Sequence, residues 1–142
     1  FSSVLSVSLA DGSTESSLFA GIDKDSSHFV NNRNDRTLGV VYGGFKPYTR
    51  FIDAKINSAF ERLSKSLPGS EVSYVSGEDN LEKIIVSISG ENSAFDYFLF
   101  NTSTLSLTRL KSALPNIKHM ASRGLLTYIS SDGTTIPAVL LL

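Results

Sequence analysis

The stretch that decides the fold runs from Val72 to Leu110 and reads VSYVSGEDNLEKIIVSISGENSAFDYFLFNTSTLSLTRL. It holds short apolar runs of the length and alternation that are typical of β-strands, at Val72–Val75, Ile84–Ser89, Phe95–Phe100 and Leu105–Leu110. The segments between the runs are rich in Gly, Asn, Asp and Ser, which favour tight turns. Consecutive short strands joined in this way predict an antiparallel meander, the arrangement of one β-propeller blade.

Directly before the meander, the spacing of apolar residues changes to that of a helix. From Asp53 to Ser66 the apolar residues recur at i, i+3, i+4 and i+7, namely at Ile56, Ala59, Phe60 and Leu63. Asp53 is the expected N-cap, and Leu67-Pro68-Gly69 is expected to end the helix. We interpret the apolar stripe as packing against a sheet and not as a partner-binding face.

The first third of the chain contains further short strand patterns. They are predicted at Leu5–Leu9, Ser17–Ala20, Phe29–Val30, Thr37–Tyr42 and Tyr48–Ile52, with a tight turn at Asp11-Gly12. The strands near Val41 and Tyr48 resemble those near Val86 and Tyr97, at a spacing close to the ~40–50 residues of one blade. The chain is therefore expected to hold more than one blade.

The last part of the chain predicts a β-hairpin. Leu125–Ser130 and Thr135–Leu142 flank the turn dipeptide Asp132-Gly133. The second strand is almost wholly apolar, which predicts burial on both faces. Nothing in the preceding strands supplies that cover, so we expect the chain to be a fragment whose missing partner lies beyond Leu142.

Composition excludes several classes of function. The chain has 142 residues, 41% of them apolar, and 13 basic against 14 acidic residues, so it should fold but carries no field that attracts nucleic acid. It contains no cysteine, which excludes disulfides and a cysteine nucleophile. No apolar run approaches the ~18 residues of a membrane span. Both the cytoplasm and the periplasm remain open as compartments.

No residue qualifies as a catalytic, cofactor-binding or metal-binding group. Serines are abundant, but none lies in a Gly-x-Ser-x-Gly sequence. His28 and His119 have no histidine or carboxylate at metal-ligand spacing, so we interpret both as surface or supporting residues. Glu78-Asp79 and Glu91 lie in turn segments, where carboxylates are usually solvated.

Three polar motifs also receive a structural interpretation. Asn31–Arg36 could bind an anion, but a solvated hairpin turn explains it better. Gly43-Gly44 lacks the lysine and helix start of a phosphate loop. Asn101-Thr102-Ser103 is a formal glycosylation sequon that a strand-connecting turn explains equally well.

Several segments, taken in order, resemble the last blade of the prolyl oligopeptidase family of serine peptidases. They are Leu67–Gly69, Val72–Ser76, Lys83–Ser89, Tyr97–Asn101 and Leu105–Thr108. The most specific likeness is Thr127–Leu141, which resembles the crossing from the propeller to the α/β-hydrolase domain: an aromatic strand, an Asp-Gly turn and an Ile-Pro strand. The resemblance covers residues ~37 to 142 and is nearest to the acylaminoacyl-peptidase and dipeptidyl-aminopeptidase branch.

The resemblance implies a fold that is mainly β, with antiparallel blades of a partial β-propeller, one inserted amphipathic helix and a C-terminal hairpin. Residues 1–118 would be the partial propeller, of about two blades and a remnant. Residues 119–142 would be the linker and the first hairpin of a truncated hydrolase domain. No catalytic residue of the family can be placed on this sequence, because the serine elbow and its Asp and His would follow Leu142.

The implied function is that of a non-catalytic segment of a serine peptidase. It would restrict the access of peptide substrates and hold the hydrolase domain. The expected partners are therefore the hydrolase domain of the parent chain and, through it, the peptide substrate. The alternatives are a free-standing β-rich interaction module, or an unrelated binding domain whose hairpin matches by chance. If the fragment exists alone, its open strands are expected to be covered by dimerisation or strand exchange.

Overall fold

The computed structural model describes residues 4–15, 26–44, 47–90, 93–117, 119–121 and 123–141. Its elements in chain order are β1 (Ser6–Val7), β2 (Thr14–Glu15), β3 (Ser26–Asn31), β4 (Thr37–Tyr42), β5 (Tyr48–Phe51), α1 (Ala54–Ser66), β6 (Glu71–Gly77), β7 (Lys83–Gly90), β8 (Ser93–Asn101), β9 (Ser106–Ser112), β10 (Arg123–Ile129) and β11 (Thr135–Leu141). The strands form four antiparallel sheets, β1-β2, β3-β4-β5, β6-β7-β8-β9 and β10-β11. The prediction of a mainly β chain with one helix is confirmed.

The four-stranded sheet β6-β7-β8-β9 is the predicted meander. Each strand pairs with the next one along the chain, so Ile84 lies opposite Phe100, and Phe100 lies opposite Leu107. A hydrogen bond joins the turn between β6 and β7 to the turn between β8 and β9, because the Thr102 hydroxyl donates to the Leu81 carbonyl at 2.9 Å. Leu81 itself has a φ of 55° and is buried, which shows that this turn is part of the core.

The main core lies between this sheet, the helix and the three-stranded sheet. Ile84, Val86 and Ile88 point from β7 into it, since they alternate along the strand and are buried. Phe51 of β5 meets Phe60 of α1 edge to face, with the ring centroids 5.3 Å apart. The two sheets are thus joined through one continuous apolar cluster.

Helix α1 forms as the sequence predicts. Its stripe residues Ala59, Phe60 and Leu63 are buried against the sheets. Asn57 accepts the N–H of Phe51 at 3.1 Å, so the helix also closes the end of β5. At the N-terminus, the Asp53 carboxylate accepts the N–H groups of Lys55 and Ile56 at 2.8 and 3.0 Å.

Replacing Asp53 by alanine is expected to lower the free energy of unfolding by about 1 kcal/mol, because two N–H groups lose their acceptor. Asp53→Asn keeps a capping oxygen and should change stability by less than about 0.5 kcal/mol. Urea unfolding followed by circular dichroism measures both. A loss of equal size in the two variants would show that the charge of Asp53, and not its cap, is what stabilises the helix.

The three-stranded sheet is covered on both faces. One face contributes Val30 and Phe51 to the main core, and the other carries a second cluster of Val40 and Tyr42, against which Val4 packs. The meander, by contrast, leaves the face with Ile85, Ser87 and Tyr97 half-exposed. None of the sheets within the described residues closes into a ring.

The C-terminal hairpin β10-β11 turns where the sequence predicts. Ser130 donates its N–H to the Thr134 carbonyl at 2.9 Å, and Gly133 has a φ of 85°. Asp132 accepts the Thr134 N–H at 2.9 Å, and this hydrogen bond lowers the pKa of the Asp132 carboxyl. The expectation that β11 is buried on both faces is not met, since Val139 and Leu141 are exposed.

Other expectations differ in extent. The prediction for Leu5–Leu9 shortens to β1, and the prediction for Ser17–Ala20 lies outside the described residues. Phe29–Val30 extends to the six residues of β3, because pairing with β4 adds polar residues that have no strand pattern of their own.

Candidate functional site

A cleft of 590 Å³ opens at one end of the meander, and we call it the end cleft. Its floor is made where β6 begins and β7 ends, at Val72 and Gly90. Its walls come from the segment after α1 and from Tyr48 at the start of β5. The segment that leads to the hairpin crosses its rim, at Met120 and Ala121.

The lining of the end cleft is mainly apolar. Its apolar lining residues include Leu67, Val72, Phe95, Met120 and Leu141. The Phe95 side chain is 46% exposed, and that of Met120 is 37% exposed, so both can be covered further. A cleft of this size and character suits an apolar chain segment or side chain.

Phe95 has a strained backbone. Its φ is 61°, in the left-handed region that bulky residues rarely adopt. The pairing of β7 with β8 shifts register between Ile88 and Gly90, next to this residue. Such strain is concentrated at ligand clamps and switch regions, and here it holds an aromatic ring at the wall of the cleft.

Gly90 allows the segment after α1 to pack closely on the end of β7. A Cβ atom at this position would lie 3.1 Å from the Ser70 hydroxyl oxygen and 3.3 Å from the Gly69 carbonyl. The chain after α1 can therefore approach β7 closely only because residue 90 has no side chain.

The tyrosine wall of the cleft is uncharged at neutral pH. Tyr48 stacks on Tyr42, with ring centroids 5.1 Å apart and an interplanar angle of 18°. Burial raises the pKa of both hydroxyls above 10, and the nearby Arg50 opposes this only in part. Tyr48, which lines the cleft, thus presents a neutral aromatic ring there and stacks on the buried ring of Tyr42.

The polar groups of the end cleft do not form a catalytic arrangement. The Ser64 hydroxyl donates to the Phe60 carbonyl within the helix at 3.1 Å. Glu71 is the charged residue among the described residues of the lining, and no histidine is found there. A nucleophilic serine needs a base within hydrogen-bond reach, and the recorded hydrogen bond of Ser64 goes to a backbone carbonyl of its own helix.

The two histidines of the sequence lie apart from this cleft. His28 is on β3, exposed, with Nδ1 3.3 Å from the Ser27 hydroxyl, and it lines a smaller cavity of 200 Å³ beside Tyr74. His119 is exposed in the segment before the hairpin. Within the parts of the chain that are described, no group of three His, Asp or Glu residues could hold a metal ion.

The polar motifs are used in turns. Asn32 accepts the N–H groups of Asn34 and Arg36 at 3.0 and 2.9 Å, which closes the turn of Asn31–Arg36 on itself. Glu78-Asp79 is exposed in the turn before Leu81, and Glu91 lies outside the described residues. Neither Glu78 nor Asp79 lines the end cleft.

The sequon and the glycine pair also belong to connections between strands. The Asn101 side chain accepts the N–H groups of Ser103 and Thr104 at 3.0 and 2.9 Å. Gly44 follows β4 with a φ of 121°, and Gly43 lines the cavity next to His28. Among the described residues after this pair, the next element is the strand β5 and not the helix N-terminus that a phosphate loop requires.

Models of known families, curated proteins and solved structures were compared with the chain, and none matches it. The described part of the chain contains no helix that is long and apolar enough to cross a membrane. The end cleft itself had no signal in the sequence. Its walls come from residues as distant as Tyr48 and Met120, and only the glycine at position 90 and the Pro68-Gly69 turn hint at a close approach.

Proposed function

We propose that the chain is a non-catalytic propeller segment of a serine peptidase of the prolyl oligopeptidase type. In this role it restricts which peptides reach an α/β-hydrolase domain and holds that domain in position. The observation that carries the proposal is the order of elements: a four-stranded meander in sequential order, then a short connecting segment, then a separate hairpin with an Asp-Gly turn. Sequential meanders are the building unit of propellers.

The sheet faces support the propeller part of the proposal. In a propeller, each blade packs its two faces on its neighbours. The three-stranded sheet packs one face on the main core, and its other face buries Val40 and Tyr42 with Val4 against them. The meander keeps a half-exposed face at Ile85 and Tyr97 that a further blade would cover. The inter-sheet core through Phe51 corresponds to a contact between successive blades.

The end cleft supports the scaffolding part. The segment with Met120 and Ala121 rests on its rim, next to the strained Phe95. This apolar contact fixes the point at which the connecting segment leaves the meander, and it therefore fixes where the hairpin begins. The exposed side chains of Val139 and Leu141 on β11 give a hydrolase domain an apolar surface to cover.

The test is to express the coding sequence continued past residue 142 and to assay it beside the chain of 142 residues. We expect the longer product to carry a Gly-x-Ser-x-Gly serine, to react with a fluorophosphonate probe and to hydrolyse aminoacyl or acylaminoacyl p-nitroanilides. It should leave large protein substrates intact, because the propeller admits only short peptides. Serine-to-alanine replacement in the elbow is the control, and it should abolish labelling without unfolding the product.

Two results would count against the proposal. A continuation without a hydrolase domain would leave the chain as a β-rich interaction module. Equal hydrolysis of p-nitroanilides and of large proteins would show that the serine peptidase is present but that this chain does not restrict access to it.

A further inference from the structure

The outer edge of β10 carries backbone groups that no other described strand uses. Residues 123–129 pair with β11 on one side, and the described sheet has no third strand. Ser130 donates its N–H to Thr134, so by the alternation of antiparallel bonds the even-numbered residues of β10 face β11. The N–H and C=O groups of the odd-numbered residues, among them Leu125 and Thr127, therefore point outward.

The other edge of the hairpin is interrupted. On β11 the odd-numbered residues also point outward, and the central one is Pro137, which lies opposite Thr127. Proline has no N–H to donate, so it is tolerated at an edge but weakens pairing there. Of the two edges of this hairpin, β10 is the one with an uninterrupted row of donors.

We propose that this edge of β10 pairs with β10 of a second copy of the chain, antiparallel and centred on Leu126. The resulting sheet has four strands, β11 and β10 of one copy followed by β10 and β11 of the other. In this register Leu125 lies opposite Thr127, and residue 123 lies opposite Ile129. All of these are outward-facing positions, which gives about eight hydrogen bonds across the two-fold axis.

The side-chain order of β10 is self-complementary in this register. Leu126 meets Leu126 of the other copy, and Gly124 lies opposite Tyr128, whose ring can cover the glycine. Arg123, the charged residue of the strand, lies opposite Ile129, so like charges are not opposed. A mainly apolar strand with its one charge at the end fits a copy of itself better than it fits a highly charged partner.

The exposure of the hairpin supports a partner of this kind. Leu125 and Ile129 lie on one face of β10 and are 56% and 75% exposed. An isolated two-stranded hairpin is at best marginally stable, and two further strands stabilise it. The edge and its flanking side chains would bury about 1,000 Å², near the lower end of specific interfaces, so we expect a dissociation constant in the micromolar range.

A disulfide test reads the register directly. The chain has no cysteine, so Leu126→Cys introduces its sole thiol. At the centre of the proposed register, the two Cα atoms would lie about 4.5 Å apart, within disulfide range. Oxidised glutathione accepts the two electrons, the two thiols lose their protons to form the S–S bond, and two molecules of glutathione are released. We expect a covalent dimer on a non-reducing gel.

The matched control is Val139→Cys. Val139 is more exposed than Leu126, 54% against 37%, so random collision would favour the control. In the proposed sheet its two copies are about 16 Å apart, because they are separated by three strand spacings and offset by two residues, and they should not be joined. A covalent dimer that forms as fast with Val139→Cys as with Leu126→Cys would overturn the proposal.

Sedimentation equilibrium supplies a second readout. Thr127→Pro removes an outward donor of β10 and is expected to raise the dissociation constant of the dimer at least tenfold. Val139→Pro removes an outward donor of β11 and should leave it within about twofold. An unsubstituted chain that stays monomeric up to about 1 mM, or equal effects of the two prolines, would contradict pairing through β10.

Discussion

Replacing Phe100 by alanine is expected to lower the free energy of unfolding by about 3–5 kcal/mol. The side chain is 1% exposed and lies in the main core, on the central strand β8, between Ile84 and Leu107 of the neighbouring strands. Its removal loses the transfer free energy of the ring and leaves a cavity that the sheet cannot close, because both flanking strands are fixed by their hydrogen bonds. Urea unfolding followed by circular dichroism measures the loss as a lower midpoint at an unchanged slope.

Phe95→Ala is the matched control, because it removes the same side chain from the same strand. Phe95 is 46% exposed at the end cleft, so its replacement should cost less than about 1 kcal/mol. If the two variants lost equal stability, the end cleft would be part of the core and would not be a site that is open to a ligand or to a connecting segment.

Replacing Gly39 by alanine is expected to cost about 3 kcal/mol, the upper end for an overpacked interior. A Cβ atom there would lie 2.5 Å from the Arg50 carbonyl oxygen and 3.1 Å from the Phe51 Cα. Both are backbone atoms of β5, so relief requires that the strand itself moves away from β4 and loosens the core contact of Phe51. The same unfolding experiment measures the effect.

Gly124→Ala provides the comparison, since Gly124 is also a strand glycine. A Cβ atom at this position has nothing within 4 Å. Alanine should therefore be neutral or stabilise the chain by up to about 1 kcal/mol, because it reduces the freedom of the unfolded chain. A large loss in Gly124→Ala would mean that glycine is required in β10 for a reason other than space.

The elements of the fold could be predicted because their patterns are local. The helix follows from the spacing of Ala59, Phe60 and Leu63 and from Asp53 as its cap, and the structure confirms each of these. The meander follows from alternating runs separated by turn residues, and its strands lie within a few residues of the predicted bounds. Pairing of sequential strands needs no long-range information.

The end cleft could not be predicted, since it depends on tertiary contacts. Nothing around Phe95 marks it as a residue with a positive φ, because the register shift beside Gly90 arises only when β7 and β8 pair. The burial of Leu81 in a turn is equally a product of packing. For β11, the apolar pattern correctly indicates a strand, but the burial that it predicted is not found, since Val139 and Leu141 are exposed.

The position of Pro137 has a consequence for how large an assembly can grow. Sheets with two open edges can add strands without limit, which is the route to fibrils. A dimer joined through β10 has a β11 strand at each outer end, and each of these ends presents a proline at its centre. A third copy would meet a proline that has no N–H to donate and a rigid ring, so polymerisation stops at two chains. The apolar hairpin can therefore bind one partner strand without nucleating aggregation.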